Sequence, residues 1–257
     1  MFIDSHCHIN DDHLLPRLEE VLHDAKTADV GAILVLGWDY ESSLLAVEIA
    51  EKHEGVFAAV GFHPENIEGH DLSELKKIES LLTSKKVVAI GEIGLDYHWK
   101  NDPKTKEEQK KWFEAQIELA NAHHLPASIH ARDAMGDIEE ILKRNPVEAS
   151  AVLHCYSGSL ETMKSLLKYG YYFGFDGPVT YKNAIEPKRC AAYVPSDRLL
   201  SETDSPYLPP IPHRGETNEP KYVPLIVSEL ASLRGESVEK TASDIQKNFE
   251  KLFRVKL

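Results

Sequence analysis

The sequence predicts an α/β fold, a single-domain (β/α)8 TIM barrel spanning residues 1–257. Three observations lead there. The chain has 257 residues, close to the roughly 250 of one such barrel. Eight short apolar runs alternate with amphipathic stretches from end to end. Histidines and acids recur where those runs stop.

The runs are Phe2–His8, Ala32–Gly37, Val56–His63, Val87–Gly91, Ala127–His130, Ala151–His154, Tyr171–Phe175 and Leu199–Thr203. Most are continuously apolar, as parallel strands covered on both faces must be. The stretches between them, Leu14–Ala28, Ser42–His53, Leu72–Thr83, Lys106–His123, Asp137–Arg144 and Leu160–Tyr169, have helical periodicity. Ser73 lacks an acidic capping partner, because Lys76 and Lys77 follow it, so the start of that helix is approximate. Repeated strand–helix units imply right-handed parallel crossovers. Eight without a break favour a closed barrel over an open doubly wound sheet, whose glycine-rich nucleotide fingerprint is missing. Pro206–Pro220 reads as a long ordered loop after the last strand, and Ser232–Leu257 as closing helices around Val238–Phe249.

Composition narrows the function classes. Cys7, Cys155 and Cys190 form neither a disulfide framework nor a zinc-binding CxxC pair. No apolar run approaches the roughly 20 residues of a membrane helix, and MFIDSHCHIN is no secretory signal. A cytoplasmic protein with no membrane partner is expected. The net charge of −13 opposes broad electrostatic capture of nucleic acid. It leaves room for a phosphate held by bound cations.

The chemistry lies at the strand ends. His6 and His8 end the first strand, Glu92 follows the fourth, His130 ends the fifth, His154 the sixth and Asp204 the eighth. In a (β/α)8 barrel those ends share the face that carries active sites. Strand alternation turns His6 and His8 to one side and Cys7 to the other. The same argument removes Cys155, which follows His154. Four imidazoles and two carboxylates exceed one ordinary zinc site. Two ions sharing a carboxylate fit them, and such pairs activate water while polarising a phosphoryl or carbonyl oxygen. The alternative, six unrelated structural residues, requires a coincidence at five strand ends.

DSHCHI, GFHPE, GEIGLDY, IHARDA, HCYSG and ETDSPYL…RGETNEP resemble the TatD family of metal-dependent deoxyribonucleases, within the amidohydrolase superfamily. The resemblance runs in order from His6 to Pro220; GEIGLDY and ETDSPYL are its specific parts, whereas HxH is shared across the superfamily. It implies that His6, His8, Glu92 and Asp204 hold one metal and Glu92, His130 and His154 a second, with Glu92 bridging. It also implies DNA as the substrate, taken as single strands or strand ends. Some superfamily members bridge their metals with a carboxylated lysine. Here the position is Glu92, with no lysine nearer than Lys86 and Lys100.

Other residues are assigned around this set. His63 is expected to orient or neutralise a substrate phosphate, with a hydrogen-bonded core histidine as the alternative. Arg132 offers a planar fork for a phosphate oxygen or a partner for Asp133 or Asp96. Ser157 and Gly158 offer backbone N–H groups to an anion, or simply a tight turn. Tyr97, Trp99 and Tyr156 are candidate base-stacking surfaces or packing residues. Asp96 reads as an acid behind the ligands or as a cap. Tyr207 and Arg214 are placed at the mouth, and Lys104–Lys111 on a solvated helix face.

The expected reaction is phosphodiester hydrolysis, with Asp204 accepting the proton of the attacking water, Glu92 bridging and His63 or Arg132 neutralising charge. Mg, Mn, Zn or a similar divalent ion suits the ligands. The nearest rival is the same site acting on an ester or amide, such as an aminoacyl ester on tRNA. A non-enzymatic, metal-stabilised binding protein is the rival of another class. A monomer is compatible with the sequence, which leaves the oligomeric state open.

Overall fold

The computed structural model of the chain describes residues 1–99 and 101–257. Lys100, weighed above as a neighbour of Glu92, lies outside the described residues. Eight strands, β1 (Phe2–Cys7), β2 (Val30–Leu36), β3 (Val56–Val60), β4 (Val87–Asp96), β5 (Ala127–Arg132), β6 (Ala151–Leu153), β7 (Tyr172–Phe175) and β8 (Leu199–Ser201), lie side by side in chain order. Every paired neighbour is parallel. The last strand meets the first through polar contacts. Asp204 N–H donates to the His6 carbonyl at 2.9 Å, His8 N–H to the Ser205 carbonyl at 2.7 Å, and the Ser201 hydroxyl to the Ile3 carbonyl at 2.8 Å. The expected barrel is therefore the observed one.

The helices α1 (Leu18–Thr27), α2 (Tyr40–Lys52), α3 (Leu75–Leu81), α4 (Pro103–Ala122), α5 (Met135–Arg144), α6 (Leu160–Leu167), α7 (Ile185–Tyr193), α8 (Val223–Arg234) and α9 (Val238–Phe253) surround the sheet. α2, α4, α6 and α9 start at side-chain caps, from Asp39, Asp102, Ser159 and Ser237, that satisfy otherwise unpaired first-turn N–H groups. Asp39 caps α2 through Ser42 N–H, two residues earlier than periodicity suggested. Asp102 caps α4, whose first residue is Pro103. Ahead of α3 the acidic capping pair sought around Ser73 is Asp71 with Glu74. α7 and α8 are two helices that apolar periodicity did not single out. α7 combines exposed Ile185 and Tyr193 with few buried positions, which blurs its stripe. α8 follows a short 3-10 turn that starts at Pro220 and carries Pro224 in its own first turn.

Two strand boundaries matter for the site. β4 does not stop at Gly91 but runs on to Asp96, with a break of register between Ile90 and Ile93. Glu92 therefore sits inside the strand rather than after it. Gly94 lets this stretch lie against β5, because a Cβ there would fall 2.0 Å from the His130 carbonyl oxygen. β6 and β8 are three residues each. Their next residues still pair, His154 N–H with the Ile129 carbonyl and Glu202 N–H with the Phe175 carbonyl. These extensions hold His154 and Glu202 against the barrel top. Among the described residues no helix is long and apolar enough to cross a membrane.

Candidate metal centre

His6 and Glu92 lie within β1 and β4, and His130 within β5. His8, His154 and Asp204 lie just beyond β1, β6 and β8. All six converge at one end of the barrel. His6 and His8 do face the same side, their Nε2 atoms 3.3 Å apart. The Glu92 Oε2 atom is 3.4 Å from each of these nitrogens. The Asp204 Oδ1 atom is 3.6 Å from His6 Nε2 and 3.5 Å from His8 Nε2. Glu92 and Asp204 thus each approach the same pair of imidazole nitrogens, a mixed nitrogen and oxygen donor set of the kind that divalent ions such as zinc take. The donor set fits a divalent ion.

The other Glu92 oxygen faces a second group. Oε1 lies 2.9 Å from His130 Nδ1 and 2.8 Å from His154 Nε2, and those nitrogens are 3.1 Å apart. The rings of His6 and His154 stack at 3.9 Å. Glu92 thus presents one oxygen to each cluster from the centre of the site.

The remaining ring nitrogens fix the orientation of these candidate ligands. His6 Nδ1 meets the Ser128 hydroxyl at 3.3 Å and His8 Nδ1 the Leu36 carbonyl at 3.3 Å. His130 Nε2 lies 2.9 Å from Asp96 Oδ2. Asp96 therefore stands behind His130, and its other oxygen accepts the His98 N–H at 2.9 Å. His154 Nδ1 is buried with no hydrogen-bond partner, 3.7 Å from Glu202 Oε1.

His63 is placed differently. Its Nδ1 accepts the Glu65 N–H at 3.2 Å, so the neutral ring carries its proton on Nε2. That nitrogen is 3.8 Å from Glu92 Oε1. Proximity alone groups His63 with Glu92 and His130 as possible ligands. The tautomer makes it a hydrogen-bond donor aimed at the site instead.

Burial and charge oppose one another here. Burial would lower His8, but the Asp204 and Glu92 carboxylates push it up to about 10. Burial likewise works against His130, which Asp96 and Glu92 raise to about 9. For His6 and His63 burial outweighs the neighbouring carboxylates and takes them to about 4 and about 3. Burial would raise Glu92 and Asp204, yet the surrounding imidazoles hold both carboxyls below the usual range. Asp204 has a left-handed backbone, φ 55°, a conformation non-glycine residues keep where surrounding structure enforces it. The enforcing contacts are its own N–H on His6 and the Asn218 amide, which donates to the Thr203 and Tyr207 carbonyls at 2.7 and 2.6 Å. Asn218 thus ties the far end of the Pro206–Pro220 loop to the stretch around Asp204.

Sequence reading missed a layer of buried acids beneath the candidate ligands. Asp4 accepts the Thr203 N–H and hydroxyl at 2.9 and 2.6 Å, and burial lifts it to about 7 despite them. Glu202 accepts the Cys155 N–H and lies near the Ser5 hydroxyl; burial carries it well above the carboxylate range. Burial lifts Asp176 to about 8. For Asp4 the available signal was its spacing of two from His6 within β1, because strand alternation returns such a pair to one side.

The other assigned residues are dispersed. Cys7 is fully buried with its thiol toward the Leu34 carbonyl, away from the ligands. Burial raises the Cys155 thiol well above its usual range, and only its backbone serves the site. Tyr156 is a core residue packed on Phe173 at 4.9 Å, and Tyr97 is tied to Asp137 at 2.7 Å. Neither offers a free stacking face; Trp99 does, at 67% exposure. Gly158 packs against Tyr156, where a Cβ would come within 2.7 Å of the hydroxyl, and Ser157 is exposed. Tyr207 bonds Asp11 at 3.1 Å with its ring 6.3 Å from His8. Arg214 lies 4.5 Å from the centre of the Tyr181 ring. Lys110 and Lys111 pair with Glu107, Asp137 and Glu108 on the α4 surface.

The profile described as TatD related DNase matches residues 3–254. YabD of Bacillus subtilis, described as an uncharacterized metal-dependent hydrolase, is 42% identical over 99% of this chain and 100% of its own length. YcfH of Escherichia coli K12, described in the same words, is 36% identical over 98% of this chain and 96% of its own. The crystal structure of YjjV, a TatD homolog from Escherichia coli K12, superposes with a TM-score of 0.94 at 33% identity, covering 99% and 98% of the two chains. Whole-chain agreement in sequence and in fold gives one conclusion: the chain belongs to the TatD family.

Proposed function

We propose that the chain is a metal-dependent hydrolase that cleaves DNA phosphodiester bonds, from a strand end, with two divalent cations. The observation that carries the reading is Glu92, which turns one oxygen toward His6 and His8 and the other toward His130 and His154. His6, His8, Glu92 and Asp204 would hold one ion, and Glu92, His130 and His154 the other. When bound, such a pair supplies Lewis acidity, lowering the pKa of water and polarising a phosphoryl oxygen.

The chain's own groups do the rest. Asp204, held ionised by its imidazole neighbours, is the acceptor for the proton of the attacking water. His63 stays neutral, since burial takes it to about 3. Its Nε2–H is therefore a donor to a phosphoryl oxygen throughout the working pH range. DNA as substrate is supported by the family profile's description. The net charge of −13 favours an end-bound strand over broad binding along a duplex.

The test uses end-labelled single-stranded oligonucleotides with Mg2+ or Mn2+. The expected outcome is stepwise shortening by the wild type and loss of on the order of 10²-fold or more in Glu92→Ala and Asp204→Ala, a few kcal/mol of transition-state stabilisation. Full activity in both variants overturns the mechanism. Hydrolysis of aminoacyl esters or amides with intact DNA left behind overturns the substrate.

A further inference from the structure

Beside the centre, Trp99 follows β4 by three residues and is 67% exposed. The indole therefore leaves a large flat aromatic face open to the solvent. Its segment is not loosely attached. The Asp96 carboxylate that orients His130 also accepts the His98 N–H, each at 2.9 Å. The His98 ring is pinned by Asp133 at 2.9 Å and meets the indole edge-on at 4.5 Å. The base of Trp99 is thus tied to a ligand of the metal centre.

Arg132 completes the feature. It lies two residues past His130 on β5, so alternation turns it to the same side, about 6.6 Å farther toward the mouth. Its guanidinium sits 5.6 Å from the centre of the Trp99 ring. Among the described residues it forms no ion pair, and its chain neighbour Asp133 is engaged by His98. A guanidinium on an exposed indole, with no ion-pair partner among the described residues of a chain of net charge −13, is a pairing of charge and π-face that suits a nucleotide.

We propose that Trp99 and Arg132 form a nucleotide platform: the indole stacks on a base of a single strand while the guanidinium takes a phosphate next to the one being cleaved. This deepens, and rests on, the phosphodiesterase reading above. Stacking tolerates any base, so the platform reads single-strandedness rather than sequence. Opened strands and ends meet that requirement and paired duplex does not.

The experiment compares wild type, Trp99→Ala, Trp99→Phe and Arg132→Gln on an intact oligonucleotide and on one abasic at its end residues. Trp99→Ala is expected to raise KM for the intact strand about 10-fold or more, within the range of measured base–aromatic stacking, while Trp99→Phe restores most of it. The abasic strand should raise KM comparably in the wild type, and the two defects should not compound. Arg132→Gln should lower the slope of log KM against log salt by about 0.7, one phosphate contact on a single strand. Unchanged KM in Trp99→Ala, or an equal rise on intact and abasic strands, overturns the platform and leaves the nuclease reading standing. Wild-type protein inert toward both strands overturns the nuclease reading and the platform with it.

Discussion

Replacing Asp96 by asparagine changes almost no volume and isolates one electrostatic feature of the centre. The carboxylate is buried and receives two donors, His130 Nε2–H at 2.9 Å and His98 N–H at 2.9 Å. A carboxylate accepts both. A carboxamide has one acceptor oxygen and one donor nitrogen, so one partner must face N–H against N–H. An unsatisfied buried donor costs about 1–3 kcal/mol. Partners of this kind behind metal ligands typically contribute 10–100-fold in affinity, about 1.4–2.7 kcal/mol. The expected result is a 10–100-fold weaker site built on His130, with the His6, His8 and Asp204 site little changed. Competition against a chromophoric chelator reads both affinities. In chelated protein His130 should also titrate lower than the wild type, because Asp96 is the first of the two carboxylates that overcome its burial. Two metal affinities equal to those of the wild type would refute the reasoning, since they would mean that Asp96 does not orient His130.

Further outcomes follow from the same geometry. His8 and His130 have folded pKa values of about 10 and about 9, above the ordinary 6.5. In chelated protein their stabilisation is complete below about pH 6.5 and is lost as pH rises through 9 to 10. Metals must displace those protons, so calorimetric binding heats at neutral pH should depend on buffer ionisation enthalpy, and affinity should climb with pH. Buffer-independent heats would exclude this. Gly174→Ala places a Cβ 2.2 Å from Glu202 Oε2, inside a packed strand layer. Overpacking of about 1–3 kcal/mol should lower Tm by roughly 2–12 °C, measured by thermal denaturation, with an unchanged Tm showing that Glu202 can move freely.

How much of this was legible in the chain depends on whether one strand or several decide a feature. The barrel follows from local patterning, because each run of apolar residues reports its own burial on two faces. The placement of His6 with His8, and the exclusion of Cys7, needs only the period of two along β1. The clustering at strand ends follows once the barrel closes. The extension of β4 to Asp96 was not legible, since the register break beside Glu92 is set by pairing with β5. The tautomer of His63 depends on the Glu65 N–H that turns back onto it. The two-sided use of Glu92, the hold of Asp96 on both His130 and His98, and the meeting of Trp99 with Arg132 each join strands or loops remote in sequence. Residue order along the chain determined which groups reach the barrel mouth. Only the packing of neighbouring strands decided which atoms face one another there, because that depends on stagger and side-chain rotamer, to which local composition is blind.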